Sequence, residues 1–150
     1  MHREISEAAD RSPQLIEQLL KVWERSVRAT HLFLSADEVA AIKPYVPQAL
    51  RAVPHLIVAR RADGTPMGFM GIDGQKLEML FLAPEARGKG LGGALVRYGM
   101  ERFDIREVTV NEQNPQARGF YERMGFRVCQ RSAQDEQGRP YPILNMRLGE

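Results

Sequence analysis

The sequence predicts an α+β fold (mixed α/β), with one mixed sheet and helices on both of its faces. Two observations predict it. Short apolar runs of strand length are separated by turn residues, and other segments carry apolar residues at helical spacing. The 150 residues are 43% hydrophobic and 27% charged, with no internal repeat or low-complexity tract. We therefore expect one domain over residues 1–150.

The chain opens with a short predicted strand over Arg3–Ser6 and then a long predicted helix. Ser12 followed by Pro13 is a favourable helix start, because serine caps the first N–H groups and proline has no N–H to leave unpaired. A helix is expected from about Pro13 to Ala29. Its apolar residues at helical spacing are Leu15, Ile16, Leu19, Leu20, Trp23 and Val27.

A second helix is predicted from a capping box. Ser35 stands three residues before Glu38, so each side chain can bind the backbone N–H of the other residue. The helix should end before Pro44, because proline interrupts a helix interior. Pro44 and Pro47 then predict an irregular segment.

Three strands joined by short turns follow. His55–Arg60, Met67–Ile72 and Leu77–Leu82 are each bounded by turn residues. The linking segments, residues 62–66 and Asp73–Gly74, are short, as in connections between antiparallel neighbours. We expect an antiparallel meander.

Two helices and three strands are predicted in the remainder. A helix follows the glycine-rich segment after Leu82, and Asn114 with Pro115 caps and starts another helix that Gly125 ends. The other predicted ranges are the helix Pro115–Met124, the strands Glu107–Asn111, Phe126–Arg131 and Tyr141–Leu148, and a turn at Asp135–Gly138.

The segment after the third meander strand has the features of an anion-binding loop. Its glycines let backbone N–H groups converge on a ligand, and the following helix start adds unpaired donors. Two cations add charge. A phosphate or diphosphate is the expected ligand, and the alternative is a turn that is glycine-rich for steric reasons alone. The segment reads Arg87-Gly88-Lys89-Gly90-Leu91-Gly92-Gly93.

The same glycines match the dinucleotide pattern G-x-G-x-x-G. In that pattern the glycines follow a parallel strand directly, whereas here residues 83–87 intervene and the preceding strands are predicted to be antiparallel. A P-loop is excluded, because no Lys-Ser or Lys-Thr follows the glycines. A dinucleotide site is therefore the weaker alternative.

Composition argues against several functions. The net charge of +2 is too small to indicate nucleic-acid binding. A single cysteine, Cys129, precludes an internal disulfide, and the few histidines have no zinc-site spacing, so no metal is expected. Residues 1–11 lack a signal-peptide core and no apolar stretch approaches the length of a membrane span. We expect no membrane association and a cytoplasmic location.

Two motifs together resemble those of the GNAT superfamily of acyl-coenzyme A-dependent N-acetyltransferases. The glycine segment matches R/Q-x-x-G-x-G, and a downstream segment matches N-x-x-A-x-x-F-Y-x-x-x-G-F. The matching residues are Arg87, Gly90 and Gly92, then Asn114, Ala117, Phe120, Tyr121, Gly125 and Phe126. The order of elements fits over nearly the whole chain, and residues 23–34 are similar to a group of small bacterial members. The resemblance implies a mostly antiparallel mixed sheet that splays between its fourth and fifth strands.

The resemblance also implies acetyl-CoA as cofactor, with its pantetheine arm in the gap between the splayed strands. Backbone groups near Leu80 and Leu82 would pair with the arm, and one N–H would polarise the thioester carbonyl. Asn114 can border the arm as well as cap a helix. The implied cofactor-binding residues are Leu80, Phe81, Leu82, Arg87, Gly88, Lys89, Gly90, Leu91, Gly92, Gly93, Asn114, Ala117 and Tyr121.

Tyr121 is implied as the acid that stabilises the leaving thiolate, and the alternative is a tyrosine that only packs beside Phe120. The base is open. Some relatives carry glutamate at the position of Thr109, which has no basic group. His31, whose usual pKa is about 6.5, and Glu78, acting through water, are the two candidates. The third possibility is a pathway without a dedicated base.

The implied reaction is direct transfer of an acetyl group from acetyl-CoA to a primary amine in a ternary complex. The acceptor is open between a small molecule, a protein lysine and an N-terminal amine, and cations near the predicted site favour one with an acidic group. A non-catalytic acyl-CoA-binding or sensing module on the same fold is the alternative, and a homodimer would be unsurprising. The candidate acceptor-binding residues are Trp23, Ser26, Thr30, His31 and Phe33.

Overall fold

The computed structural model describes residues 3–135 and 138–149. Its sheet has the strand order β1-β2-β3-β4-β5-β7-β6, and neighbours are antiparallel except for β4 and β5. The prediction of a mostly antiparallel mixed sheet is confirmed. The strands are β1 (Arg3–Glu7), β2 (His55–Arg61), β3 (Pro66–Asp73), β4 (Lys76–Leu82), β5 (Glu107–Asn111), β6 (Phe126–Ser132) and β7 (Ile143–Leu148).

Five α-helices connect or cover these strands in the described part of the chain. They are α1 (Pro13–Thr30), α2 (Ala36–Ile42), α3 (Val46–Ala52), α4 (Leu91–Phe103) and α5 (Pro115–Arg123). Short 3₁₀ turns occupy Lys43–Tyr45 and Pro84–Ala86. No helix among the described residues has the length and apolar character that crossing a bilayer requires.

The segment around Pro44 and Pro47 is helical, so the expectation of an irregular segment is wrong. Pro44 is the second residue of the 3₁₀ turn, and Pro47 is the second residue of α3. In the first turn of a helix the missing N–H of proline would have had no acceptor, and its fixed φ suits the helix. The two prolines therefore start helical segments.

Arg11 closes the other end of α3. Its Nη1 donates to three backbone carbonyls at 2.6–3.0 Å and its Nη2 to a fourth at 3.1 Å; the acceptors are Leu50, Arg51, Val53 and Pro54. The last carbonyls of a helix have no partner within it and carry partial negative charge. Arg11 thus joins the segment before α1 to the end of α3.

The last strand begins at Ile143, later than the predicted Tyr141. Pro142 has no N–H to donate to the sheet, and the N–H of Tyr141 donates to the Arg139 carbonyl at 2.8 Å, so the chain is still turning there. Part of the predicted turn, residues 136 and 137, lies outside the described residues. Gly138 N donates to the Asp135 carbonyl at 3.0 Å across them.

Hydrophobic residues form one core on each face of the sheet. Alternate residues of β2 belong to opposite cores: Leu56 and Val58 pack with α1 and α3, whereas Ile57 and Ala59 pack with α4 and α5. Successive side chains of a strand point to opposite faces, so this alternation is what a sheet buried on both faces requires. The predicted placement of helices on both faces is confirmed.

The parallel strands β4 and β5 are paired only where they begin. Lys76 lies opposite Glu107 and Leu77 opposite Val108, and no further pair joins the two strands. Beyond that point β4 is paired with β3 alone. The sheet therefore splays between its fourth and fifth strands, as the family resemblance implied.

Candidate active site

The open edge of β4 supplies unpaired backbone groups. Ala83 N donates to the Met67 carbonyl of β3 at 2.9 Å. Because backbone groups alternate sides along a strand, Phe81 also faces β3, whereas Leu80 and Leu82 direct their N–H and C=O groups to the side that β5 has left. These are the two residues expected to pair with a pantetheine arm.

The glycine-rich loop ends at the start of α4, where further donors are unpaired. Gly88 and Gly90 have φ values of +75° and +81°, which glycine adopts without strain. Gly90 caps α4 without a side-chain hydrogen bond, and the first helical bond runs from Ala94 N to Gly90 O at 3.0 Å. The N–H groups that precede Ala94 in the helix have no acceptor among the described residues; they belong to Leu91, Gly92 and Gly93. This arrangement suits an anion.

A cleft of about 660 Å³, here called the larger cleft, runs from the glycine loop to the open edge of β4. Arg87 and Arg123 are its charged lining residues, so it suits a polyanion. Lys89, an expected cofactor residue, is exposed and lies outside this lining. The other expected cofactor residues all line it: Leu80, Phe81, Leu82, Arg87, Gly88, Gly90, Leu91, Gly92, Gly93, Asn114, Ala117 and Tyr121.

A smaller cleft of about 120 Å³ lies between β4 and β5. Glu78 is the carboxylate in its lining, and Thr109 of β5 also faces it. The two clefts meet at six shared residues, so groups held in one can react with groups held in the other. The shared residues are His31, Leu80, Phe81, Asn114, Ala117 and Tyr121.

Tyr121 is buried where the two clefts meet, with 7% of its surface exposed. Its ring contacts Phe120 and Phe126 edge-on, at centroid distances of 5.0 and 5.7 Å. Within residues 3–135 and 138–149 its hydroxyl forms no hydrogen bond. Burial raises the pKa of this hydroxyl, so it stays protonated and can donate.

His31 follows the last residue of α1 and lines both clefts. Its ring packs near Phe33 and Phe81, with centroid distances of 5.4 and 6.3 Å. Burial, and then the charge of Arg87, lowers the pKa of the imidazole below its usual 6.5. The neutral ring, which can accept a proton, is therefore favoured at pH 7.

Glu78 occupies a bulge in β4. Leu77 pairs with Ile72 and Met79 pairs with Gly71, so Glu78 is the extra residue between them. A bulge redirects a side chain and increases the local twist of the strand. The Glu78 carboxylate lies 3.8 Å from Lys76 Nζ.

Thr109 and Asn114 have structural hydrogen bonds. Thr109 Oγ1 donates to Asn145 Oδ1 at 3.0 Å, between β5 and β7. Asn114 accepts from Ala117 N at 3.2 Å and so caps α5, as expected. Asn114 is 9% exposed and its Nδ2 donates to no described residue, so this group is available to a ligand in the cleft.

The five candidate acceptor residues fall into two groups. Ser26, Thr30 and His31 line the larger cleft, but Trp23 and Phe33 line neither cleft. Trp23 is 6% exposed and belongs to the core beneath α1. Phe33 contacts the ring of His31, with the centroids 5.4 Å apart.

Phe33 also belongs to a contact between distant segments. Its ring lies 6.2 Å from that of Tyr141, whose hydroxyl donates to Glu38 of α2. The turn before β7 is thereby attached to the capping box of α2.

One face of α5 lines the larger cleft, and its residues were not predicted to do so. Gln116, Phe120 and Arg123 are spaced three or four residues apart, so they share a helical face, and all three line the larger cleft. Arg87 Nη2 donates to Gln116 Oε1 at 3.4 Å, which links the glycine loop to α5. Helical spacing from Asn114 onward could have found this face.

A mixed sheet opened between two parallel strands, with a glycine-rich anion cradle at the opening, defines a transferase that uses acyl-CoA. The unpaired N–H groups of α4 suit an anion, and the free edge of β4 offers backbone donors and acceptors to an extended ligand. The chain belongs to the GNAT acetyltransferase family: the family described as "Acetyltransferase (GNAT) domain" matches residues 15–148.

Named relatives are similar over most of their length. Peptidyl-lysine N-acetyltransferase YjaB of Escherichia coli (strain K12) is 42% identical over 130 residues, which are 87% of this chain and 88% of that protein. Peptidyl-lysine N-acetyltransferase YiaC of the same strain is 31% identical over 128 residues, covering 85% and 87%.

Solved structures share the fold. The solution structure of apo-form YjaB from Escherichia coli has a TM-score of 0.87 at 39% identity, covering 98% of this chain and 97% of that chain. PaiA N-acetyltransferase from Thermoplasma acidophilum, crystallised in complex with coenzyme A, has a TM-score of 0.71 at 23% identity and covers 98% and 99%. The protein is thus an N-acetyltransferase that transfers an acetyl group from acetyl-CoA to an amine.

Proposed function

We propose that this enzyme acetylates the ε-amino group of lysine residues in proteins or peptides. The observation that carries the proposal is the separation of charge between the two joined clefts. Arg87 and Arg123 line the larger cleft, where no described carboxylate does, whereas Glu78 lines the smaller one. A polyanionic donor suits the first environment and an ammonium group suits the second. YjaB and YiaC are named as peptidyl-lysine N-acetyltransferases, which supports the same acceptor.

The arginines of α1 do not favour an acidic acceptor. Arg25 is paired with Glu85 at 2.6 Å, and Arg28 is paired with Glu24 at 3.0 Å. Neither arginine lines either cleft. Their charges are neutralised within the protein. Glu78 has a partner of its own, Lys76 at 3.8 Å, but Lys76 lies outside the lining of the smaller cleft, so Glu78 is the carboxylate that faces it.

Bound acetyl-CoA would supply a thioester carbonyl and a sulfur leaving group. We assign the diphosphate to the N–H groups of Leu91, Gly92 and Gly93 and the pantetheine arm to the open edge of β4. An N–H of Leu80 or Leu82 would donate to the thioester oxygen. Such a donor is worth about 2.7–4 kcal/mol in other enzymes, because it meets the charge that develops on oxygen.

His31 is the base in this proposal. A lysine amine has a pKa of about 10.4, so making it neutral at pH 7 costs about 4.6 kcal/mol. His31 accepts one proton from the ammonium, and the freed lone pair forms the new C–N bond. Tyr121 would give its proton to the sulfur as the C–S bond breaks. The second proton lost by nitrogen would then restore the Tyr121 hydroxyl, so the products are an amide, a thiol and one proton held by His31.

The test uses a peptide with a blocked N-terminus and one lysine. We expect acetyl-CoA-dependent addition of one acetyl group, located on the lysine by mass spectrometry, and no addition when that lysine is replaced by norleucine. E78Q should raise the KM for the peptide and leave the KM for acetyl-CoA unchanged. The control is E101Q, which removes an exposed carboxylate of α4. Acetylation of small amines but not of this peptide would refute the proposed acceptor.

A further inference from the structure

The side chain of Thr30, the residue before His31, is hydrogen-bonded to the His31 ring. His31 Nδ1 lies 2.9 Å from Thr30 Oγ1, and the same hydroxyl lies 2.8 Å from the carbonyl oxygen of Ser26, one helical turn earlier. A threonine hydroxyl has one hydrogen to donate, and a carbonyl oxygen can only accept. The hydroxyl therefore donates to Ser26 and accepts from His31. It follows that Nδ1 carries the hydrogen.

The opposite ring nitrogen is then the acceptor. In a neutral imidazole with hydrogen on Nδ1, Nε2 holds the lone pair. No group within residues 3–135 and 138–149 hydrogen-bonds to Nε2 of His31. Phe33 and Phe81 pack near the ring and limit its rotation. Among the described residues, Nδ1 is the ring nitrogen that is hydrogen-bonded, and His31 lines both clefts.

We propose that Thr30 is a positioning residue whose hydroxyl selects the Nδ1–H tautomer of His31 and thereby presents Nε2 to the ammonium group of the acceptor. The proposal rests on His31 acting as the base, as proposed above. It gives Thr30 a different role from direct contact with the acceptor. Ser26 takes part only through its backbone carbonyl, so the relay needs one side chain, that of Thr30.

The surroundings of the ring make the choice of tautomer decisive. Burial, and then the charge of Arg87, lowers the pKa of His31, so the neutral ring is favoured at pH 7. The other titratable or charged groups that line the clefts with it are Arg123, Tyr121 and Glu78. In the Nε2–H tautomer the ring would direct a donor instead of an acceptor toward the ammonium, and general-base catalysis would fail.

The tautomer can be measured on the intact protein by long-range ¹H–¹⁵N NMR, which distinguishes a protonated from an unprotonated ring nitrogen. H31Q and H55Q assign the signals. His55 is an internal control, because its Nδ1 lies 2.7 Å from Glu7 Oε2 and should carry hydrogen in every variant. We expect Nδ1–H at His31 in the wild type and in T30S, and a shift toward Nε2–H in T30V. Hydrogen on Nε2 in the wild type would overturn the proposal, even if T30V failed to fold.

Turnover of the lysine peptide supplies the second readout. T30V keeps the shape of threonine without its hydroxyl, and we expect kcat to fall by about tenfold or more while the KM for acetyl-CoA stays unchanged. T30S restores the hydroxyl and should recover turnover. If the tautomer shifts in T30V but kcat does not, Thr30 does not position a base. If H31Q is fully active, the base assignment fails, while the NMR result still reports what Thr30 does to the ring.

Discussion

The ring of Tyr121 meets the ring of Phe126 edge-on, with centroids 5.7 Å apart and planes at 81°. Phe126 begins β6, so the contact joins α5 to the far part of the sheet. The aromatic contacts hold the ring in place. Burial raises the pKa of the hydroxyl. Tyr121 therefore keeps its hydrogen throughout an assay range of pH 6–9.

Removing that hydroxyl should affect chemistry and not cofactor binding. In Y121F we expect kcat to fall by about tenfold or more, because the departing thiolate loses its donor, with the Kd for acetyl-CoA almost unchanged. Steady-state kinetics and calorimetry measure the two quantities. The matched control is Y98F: Tyr98 lies on α4 beneath Arg102 and lines neither cleft. Unaltered turnover in Y121F would reject the role.

The lowered pKa of His31 predicts how the rate of acetylation depends on pH. Because its pKa is lowered, the neutral form persists below pH 6.5, and protonation removes the base only at still lower pH. For the wild type, kcat/KM for a lysine peptide should be level near neutral pH and decline below a midpoint under 6.5. In H31Q that midpoint should vanish, and the rate should rise with pH toward the amine pKa of about 10.4. Profiles from pH 5 to 9.5 decide this; identical profiles would exclude His31, and H55Q is the control.

The glycine loop can be tested with two matched substitutions. Gly88 and Gly64 have φ values of +75° and +90°, and a Cβ at either would meet no atom within 4 Å. G88A and G64A should therefore lower the free energy of unfolding by similar amounts, about 1–2 kcal/mol, from backbone strain alone. Only G88A should also raise the Kd for acetyl-CoA, by several-fold. Equal Kd values in the two variants would remove Gly88 from the site.

An ion-pair cluster beside the loop predicts a dependence of stability on acid. Glu85 accepts from Arg25 through both oxygens and also from Arg61. The bonds from Arg25, then a hydrogen bond with the backbone of Glu85 itself and the bond from Arg61, lower the pKa of Glu85 to about 2. A lowered carboxyl pKa stabilises the fold above pH 4.5, and the contribution disappears as pH falls toward 2.

The corresponding experiment compares E85Q with the wild type. At pH 7 we expect the wild type to be more stable by at most about 1 kcal/mol, because the side chains are well exposed and screened. The difference should shrink between pH 4.5 and 2, as followed by urea unfolding. A difference that stays constant across that range would show that the ion pairs are not its source.

Local chemistry made the starts of the helices predictable. Ser12, Ser35 and Asn114 each accept from the N–H expected of a cap, at 3.1–3.2 Å. These bonds span three residues, so a short sequence window contains them. Arg11 binds carbonyls 39 to 43 positions away, and no local pattern reports such a contact. The helix that Arg11 closes, α3, was not predicted.

The site was predictable where a motif encodes backbone geometry. The two motifs pointed to the glycine loop and to Tyr121, and both line the larger cleft. Helical spacing showed that Trp23 would face inward, but it could not distinguish the wall of a cleft from the core, because both are apolar. The hydrogen bond from His31 to Thr30 depends on the end of one helix and could be seen only in the structure.

Two register pairs join β4 to β5, so most of that edge of β4 has no strand beside it. In the proposed arrangement, a pantetheine arm along the open edge of β4 would pair with that strand and fill the gap toward β5. We therefore expect the melting temperature to climb on saturation with coenzyme A, and amide exchange at Leu80 and Leu82 to slow. Bound acetyl-CoA would thus complete the sheet, and its release would open the sheet again.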